Sequence, residues 1–359
     1  MLNRISRMIL GLACGALIFT GALFVRGFTP AINIQNQGAI SGEWLIDPTP
    51  KPDTVQLTLR RSEGYEHNFS SSRGIPISSL AGLSAAQMNS SGTNVRFELG
   101  RDAGVFLCEG WFANGKGAGH FAFSPNPRFV SDLSGLGYSN VSDERLFSMA
   151  VFDVSIAFIQ DLKSLGYDHI SLDQLDAMRI HGVTTDFIRQ LKSLGYDHVS
   201  VDELVAMRIH GVKTEWISEL KALGYDHISV DQLVAMRIHG VDTEFIKEWK
   251  SLGYDLPSTD QLVSMRIHGV SSEFVKELHD LGYEHVPSDE LVSMRIHGVS
   301  TDFIKEIKAL GYDHVAIDQL VSMRIHGVTA EYIRKMQSKG IKDLSIDQLI
   351  NLKIQGFVD

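Results

Sequence analysis

Hydrophobic positions fall into three successive patterns along the chain. From Met8 to Val25 they form one uncharged, mainly apolar run, with Arg4 and Arg7 before it and Arg26 after it. At about 1.5 Å per helical residue, such a run is just long enough to span a bilayer. The leading arginines predict that its start stays inside while the rest of the chain is exported. Residues 1–30 therefore read as a signal anchor, touching the membrane through residues 8–25. The expected location is a single pass in the inner or cell membrane with the bulk of the chain extracytoplasmic. Thr29 and Ala31 leave an alternative open: cleavage near Ala31 and a secreted or periplasmic product.

Between residues 38 and 130 the period becomes two, the mark of half-buried strands. Val55, Leu57 and Leu59 alternate with Gln56, Thr58 and Arg60. Strands are predicted at Glu43–Asp47, Thr54–Arg61, Val95–Gly100, Val105–Phe112 and Gly119–Phe123. Asn114-Gly115, between two such runs, predicts a tight hairpin. Phe106, Cys108 and Phe112 share one strand face, and Phe121 and Phe123 another, which suits a core. Gly115, Gly117 and Gly119 make no phosphate loop, because no helical pattern follows them. Pro127 suits the first turn of a helix.

From about residue 134 to residue 359 the chain repeats. Glycines at 137, 166, 195, 224, 253, 282, 311 and 340 are 29 residues apart, and a second series runs from 182 to 356 with the same step. The unit reads L-G-Y-D-H-I/V-S-x-D-Q-L-V-x-M-R-I-H-G-V-x-T-E-F-I-K-E-L-K. A period of this size predicts a solenoid whose units stack on their neighbours. Ser171 with Gln174 is a capping box, repeated as Ser200/Glu203 and Ser229/Gln232. Gly182, Gly211, Gly240 and Gly269 follow the first helix of each unit; Gly195, Gly224, Gly253 and Gly282 follow the second. Each is placed for a left-handed helix ending. Leu175, Met178, Ile180 and the position of Val205 predict a first helix that is apolar over most of its girth and sits inside the stack. The second helix, with one stripe from Phe187 to Leu194, should lie outside. The fold class is thus α+β multidomain: a membrane segment, a small antiparallel β domain, then an α-solenoid of two-helix repeats.

The net charge is -10, and all of it falls in residues 166–359. Its sign argues against nucleic acid. It suits either a solvated surface or a face for a basic protein, with Glu215, Glu219, Glu244, Glu248, Glu273 and Glu277 as the candidate partner residues. Six histidines end the first helices: His181, His210, His239, His268, His297 and His326. They are the candidates for a metal ladder. However, among the repeated histidines the closest spacing is the twelve residues from His169 to His181, whereas zinc sites use short spacings. Capping the terminal carbonyls is the simpler role. With Cys14 and Cys108 the only cysteines, no disulfide scaffold or Cys-based zinc module is available. No catalytic motif stands out, so no enzyme activity and no cofactor are expected; a hydrolase within the β domain is the remaining enzymatic alternative.

The M-R-I-H-G-V unit, repeated from Met178 onward, resembles repeats of bacterial envelope proteins. Similar repeats are appended to membrane antirepressor metallopeptidases of the β-lactam-sensor type. The stretch D-A-G-V-F-L-C-E-G-W-F from Asp102 resembles the β module that precedes them. The chain has one hydrophobic run and no zinc motif, so no peptidase residue carries over. The resemblance implies an accessory or sensory ectodomain of a signalling system. The residues themselves favour an exported, membrane-tethered scaffold that presents its repeats to a protein partner or an envelope polymer.

Overall fold

A computed structural model of the protein describes residues 40–63 and 67–357. Residues 1–30, where the sequence predicts an anchor, lie outside the described residues. Among those described, no helix is long and apolar enough to cross a membrane.

Seven strands form one antiparallel sheet: β1 (Ile40–Pro48), β2 (Thr54–Glu63), β3 (His67–Pro76), β4 (Leu80–Ala81), β5 (Ser91–Arg101), β6 (Gly104–Ala113) and β7 (Lys116–Pro125). Their order is β3-β2-β1-β7-β6-β5-β4. The two edge strands, β3 and β4, are joined only by the turn Ile77–Ser79, so the sheet curls until its edges approach. Asn114 and Gly115 form the two-residue loop of the β6–β7 hairpin, both at positive φ.

Three elements have no counterpart in the sequence reading: β3, β4 and the short helix α1 (Ala85–Met88). The β3 sequence, H-N-F-S-S-S-R-G-I-P, has no apolar alternation. It is held by its backbone ladder to β2 and by Ser72, whose hydroxyl meets Gln56 and Thr58 at 2.8 Å. An edge strand has one neighbour and needs few apolar side chains.

Inside the curl lie Trp44, Phe97, Phe106, Phe112, Phe121 and Phe123, all fully buried. The Trp44 indole N–H donates to the Glu109 carbonyl at 3.2 Å and occupies the space beside Gly119. A Cβ on Gly119 would come 2.0 Å from that carbonyl oxygen and 2.7 Å from Trp44 Nε1. The strand glycines thus make room for an indole. Cys108 is also buried, and burial pushes its thiol up.

The helices form two alternating series. After α2 (Pro127–Gly135), the first helices of the units are α3 (Asp143–Phe152), α5 (Leu172–Ile180), α7 (Val201–Ile209), α9 (Val230–Ile238), α11 (Thr259–Ile267), α13 (Ser288–Ile296), α15 (Ile317–Ile325) and α17 (Ile346–Ile354). The second helices are α4 (Ile156–Ser164), α6 (Thr185–Ser193), α8 (Thr214–Leu223), α10 (Thr243–Ser251), α12 (Ser272–Asp280), α14 (Thr301–Ala309) and α16 (Ala330–Ser338). First helices pack on first helices and second on second, one repeat to the next. Sheet and array share a core: Phe147 of α3 packs its ring 5.8, 6.0 and 5.6 Å from those of Phe106, Phe121 and Phe123.

Capping boxes close the N-termini at Ser171/Gln174, Ser200/Glu203, Ser229/Gln232, Ser258/Gln261 and Ser345/Gln348. At the other end, Val183 N–H donates to the Met178 carbonyl at 2.8 Å across Gly182, a Schellman ending that recurs at each first helix from α5 to α15. Where Asp153 replaces the glycine, it adopts the same left-handed conformation, φ 59°.

The expectation for the first helices needs correction. Leu175 and Met178 and their equivalents are buried, but Ile180 is not. Two residues on from Met178 is about 200° around the helix, the opposite side. The first helices therefore do not sit inside the stack. From α5 to α17 each buries one stripe and exposes an isoleucine.

Candidate functional surface

Three contacts link each repeat to the next, and they account for most of the repeated residues. The Tyr hydroxyl of G-Y-D-H donates to a backbone carbonyl 32 residues later: Tyr167 to Val199 at 2.7 Å, Tyr196 to Ile228 at 2.7 Å, Tyr225 to Pro257 at 2.6 Å and Tyr283 to Val315 at 2.7 Å. The Arg of M-R-I-H-G lies over the aromatic ring of the preceding second helix: Arg208 on Phe187, Arg237 on Trp216, Arg266 on Phe245 and Arg295 on Phe274. Arg266 also donates through Nε to the Gly240 carbonyl at 2.8 Å. Finally, the Thr opening a second helix bonds back 24 residues, as Thr214 does to Gln190 at 2.6 Å. A 29-residue period makes these partners findable in principle, because each contact spans about one period. Capping and glycine spacing alone point to neither the Tyr nor the Arg contact.

The six RIHG histidines are helix C-cap residues or their near equivalents, and their imidazoles make no hydrogen bond among the described residues. The terminal carbonyls expected to need them are taken by backbone N–H groups and by arginine. Burial lowers the His181 imidazole. Among the described residues no group of three or more His, Cys, Asp or Glu could hold a metal ion. The other series, His169, His198, His227, His285 and His314, sits at positive φ, between 50° and 60°. Leu256 replaces it in one unit, where Pro257 follows and an extended backbone is favoured.

The candidate glutamates divide. Glu219 and Glu277 accept hydrogen bonds from Thr243 and Thr301 of the next repeat. Glu244 is 2.6 Å from Lys247. Glu215, Glu248 and Glu273 are exposed, and hydrogen bonds from the Glu273 amide and Ser271 hold the Glu273 carboxyl below its ordinary range. This face is acidic but interleaved with lysine. Carboxylates also line the edge where the first helices begin, some of them paired, as Asp173 is with Arg145 and Asp313 with Lys308 at 3.0 Å. Each repeat there exposes two carboxylates, such as Asp197 with Asp202 and Asp226 with Asp231. Gln319 of one first helix reaches Asp347 of the next at 3.3 Å, so these N-termini lie side by side.

The opposite edge carries the helix C-termini. The Arg-to-glycine contacts place neighbouring ends together there. Ile180, Ile209, Ile238, Ile267, Ile296, Ile325 and Ile354 lie on it, between 44% and 59% exposed. Single exposed isoleucines are ordinary; one at the same place in seven successive helices is a continuous apolar stripe. The array is thus polarised, acidic at one edge and apolar with histidine at the other.

Comparison with family models and with curated proteins finds no match for this chain.

Proposed function

We propose that the protein is an exported scaffold, tethered to the membrane through residues 8–25, that binds a protein partner along its repeat array. The observation that carries the reading is the isoleucine stripe. Half-exposed isoleucines recur at this place in every first helix from α5 to α17, while the neighbouring Leu and Met of α5 to α15 are buried. A partner laying apolar side chains along this edge would bury them all in one orientation, and the acidic edge would set that orientation by repelling acidic and attracting basic segments. Resident chemistry is not needed for such a role. The resemblance to repeats appended to membrane antirepressors is compatible with it, a sensory ectodomain being one kind of scaffold.

The test has two arms. A reporter fused after residue 130 should be active only outside the cytoplasm. The triple variant Ile238→Ser, Ile267→Ser, Ile296→Ser should melt as the wild type does, yet lose the protein that cross-links to the wild-type array in membranes. Cytoplasmic reporter activity defeats the export reading. Retention of the same partner by the triple variant defeats the stripe as the binding surface.

A further inference from the structure

Where the sheet meets the array, three arginines from distant parts of the chain converge on one cavity of about 400 Å³. Such a volume falls in the range of small-ligand sites, about 300–1,000 Å³. Arg73 comes from β3, Arg101 from the end of β5 and Arg179 from α5. Leu57, Leu59, Ile75, Leu99 and Val151 form an apolar wall, and Ser71 and Ser79 add hydroxyls.

The charges do not balance. Asp153 faces all three arginines: Arg101 Nε is 3.3 Å from one carboxylate oxygen and Arg179 Nη2 3.1 Å from the other. Among the described residues, Arg73 has no carboxylate within ion-pair distance. It donates instead to the carbonyls of Phe152 at 3.3 Å and Arg179 at 3.0 Å and stacks 4.9 Å over the Phe152 ring. The adjacent Asp102 is spent elsewhere, accepting from the Ile156 amide at the start of α4 at 3.0 Å. The Arg101 contact with Asp153 lacks hydrogen-bond geometry, and its Nε–H is buried without a hydrogen-bond partner. Burial and the nearby Arg179 both lower the Arg73 guanidinium, and Arg101 adds to that. Elsewhere on the sheet Arg96 pairs with Glu109 and Lys116 with Asp47. Arg179 also makes the contacts of its equivalents in later repeats, donating through Nε to the Phe152 carbonyl at 3.2 Å and lying over the Phe158 ring, so Arg73 and Arg101 are the charges that the repeat plan does not require.

We infer that this cavity binds a phosphate monoester, whose dianionic head compensates the two excess positive charges while its organic body lies on the Leu–Ile–Val wall. Guanidinium forks match phosphate oxygens in pairs, and an apolar wall favours an ester over the bare ion. The inference is independent of the scaffold reading. Both a soluble monoester and a lipid headgroup carry this chemistry.

Calorimetric titration of the full chain in non-ionic detergent tests it, with inorganic phosphate, butyl phosphate, and vesicles with or without phosphatidic acid as probes. One saturable site per chain is expected, with butyl phosphate binding at least tenfold tighter than inorganic phosphate. Arg101→Gln should weaken it at least tenfold with the circular dichroism melt unchanged. Arg73→Lys, which keeps the charge but loses the fork, serves as the second variant should the first misfold. Binding only to phosphatidic acid vesicles, lost in the same variants, supports the site with a lipid as its source. Heats no larger than those from chloride at equal ionic strength, for every probe, overturn it. So does affinity unchanged in both folded variants.

Discussion

The sheet and the array solve the burial problem in opposite ways. In the sheet, aromatic rings from β1, β5, β6 and β7 meet in one interior, and a single contact such as Trp44 to Glu109 ties residues 65 apart. In the array the bonds between repeats span 24 to 32 residues and lead only to the next unit. The sheet is one cooperative object; the array is a sum of units and interfaces. The contrast teaches where damage should spread and where it should stop.

The largest test is deletion. Removing residues 224–252 takes out one whole period, after which Tyr196 meets the Pro257 carbonyl in place of Ile228 and Arg266 meets Trp216 in place of Phe245. The shortened array should keep a cooperative helical melt. Removing fifteen residues from the same place puts every later Tyr and Arg out of register and should abolish that melt downstream. Equal loss in both would make the array a closed globule rather than a stack.

Two glycines sharpen the comparison. Gly119 has ordinary φ but no room, its Cβ position lying 2.0 Å from backbone, so Gly119→Val should cost about 3 kcal/mol or more. Loss of the near-ultraviolet signal of Trp44 reports it, and the whole sheet should be lost together. Gly240 is the reverse: at φ 69°, with only Arg266 Nη2 at 3.6 Å, it has room but a conformation L-residues avoid. Gly240→Val should cost about 1–2 kcal/mol from backbone strain. The loss should be confined to the repeats beside it, read by hydrogen exchange. A global effect from Gly240 would erase the distinction.

The array was far more legible in the sequence than the sheet, for the same reason. A 29-residue period states its local rules several times over, so capping boxes, helix ends and buried Leu–Met pairs can be read from one unit and checked in the next. The strands around Val55, Val95 and Phe106 showed alternation because one face is core. The β3 strand, Ser-rich and bound by ladder bonds and hydroxyls, carried no such signal. Ile180 reads as core because apolar residues on two sides make the helix look buried over most of its girth, whereas only the side of Leu175 and Met178 is covered. The arginine cavity was not legible at all: Arg73, Arg101 and Arg179 have no common spacing and meet only through the fold.

A smaller effect tests the Tyr clamp. Tyr225→Phe removes the 2.6 Å bond to Pro257 and should cost about 1 kcal/mol at neutral pH. Burial pushes the Tyr225 phenol up to about 12 from its ordinary 10. The neutral phenol is therefore favoured by folding: its stabilisation is complete below pH 10 and is lost as pH rises toward 12. The gap between wild type and Tyr225→Phe in chemical denaturation should hold from pH 7 to 9 and narrow above 10. A gap that stays constant to pH 12 would mean that the hydroxyl is not held as described.

The smallest effect lies on the charged face. Glu244 and Glu248 are exposed, and Glu244 pairs with Lys247 at 2.6 Å, a surface pair of little energetic weight. Reversing both to Lys should change array stability by no more than about 0.5 kcal/mol in either direction. The interest is in the partner. If the lysine-interleaved glutamate face takes part in binding, the reversed chain should release its cross-linked partner, more so at low salt, where exposed charges are least screened. If only the polarised edges matter, the reversal leaves the partner in place while the isoleucine variant loses it. Those two outcomes assign the binding surface to the second helices or to the ends of the first.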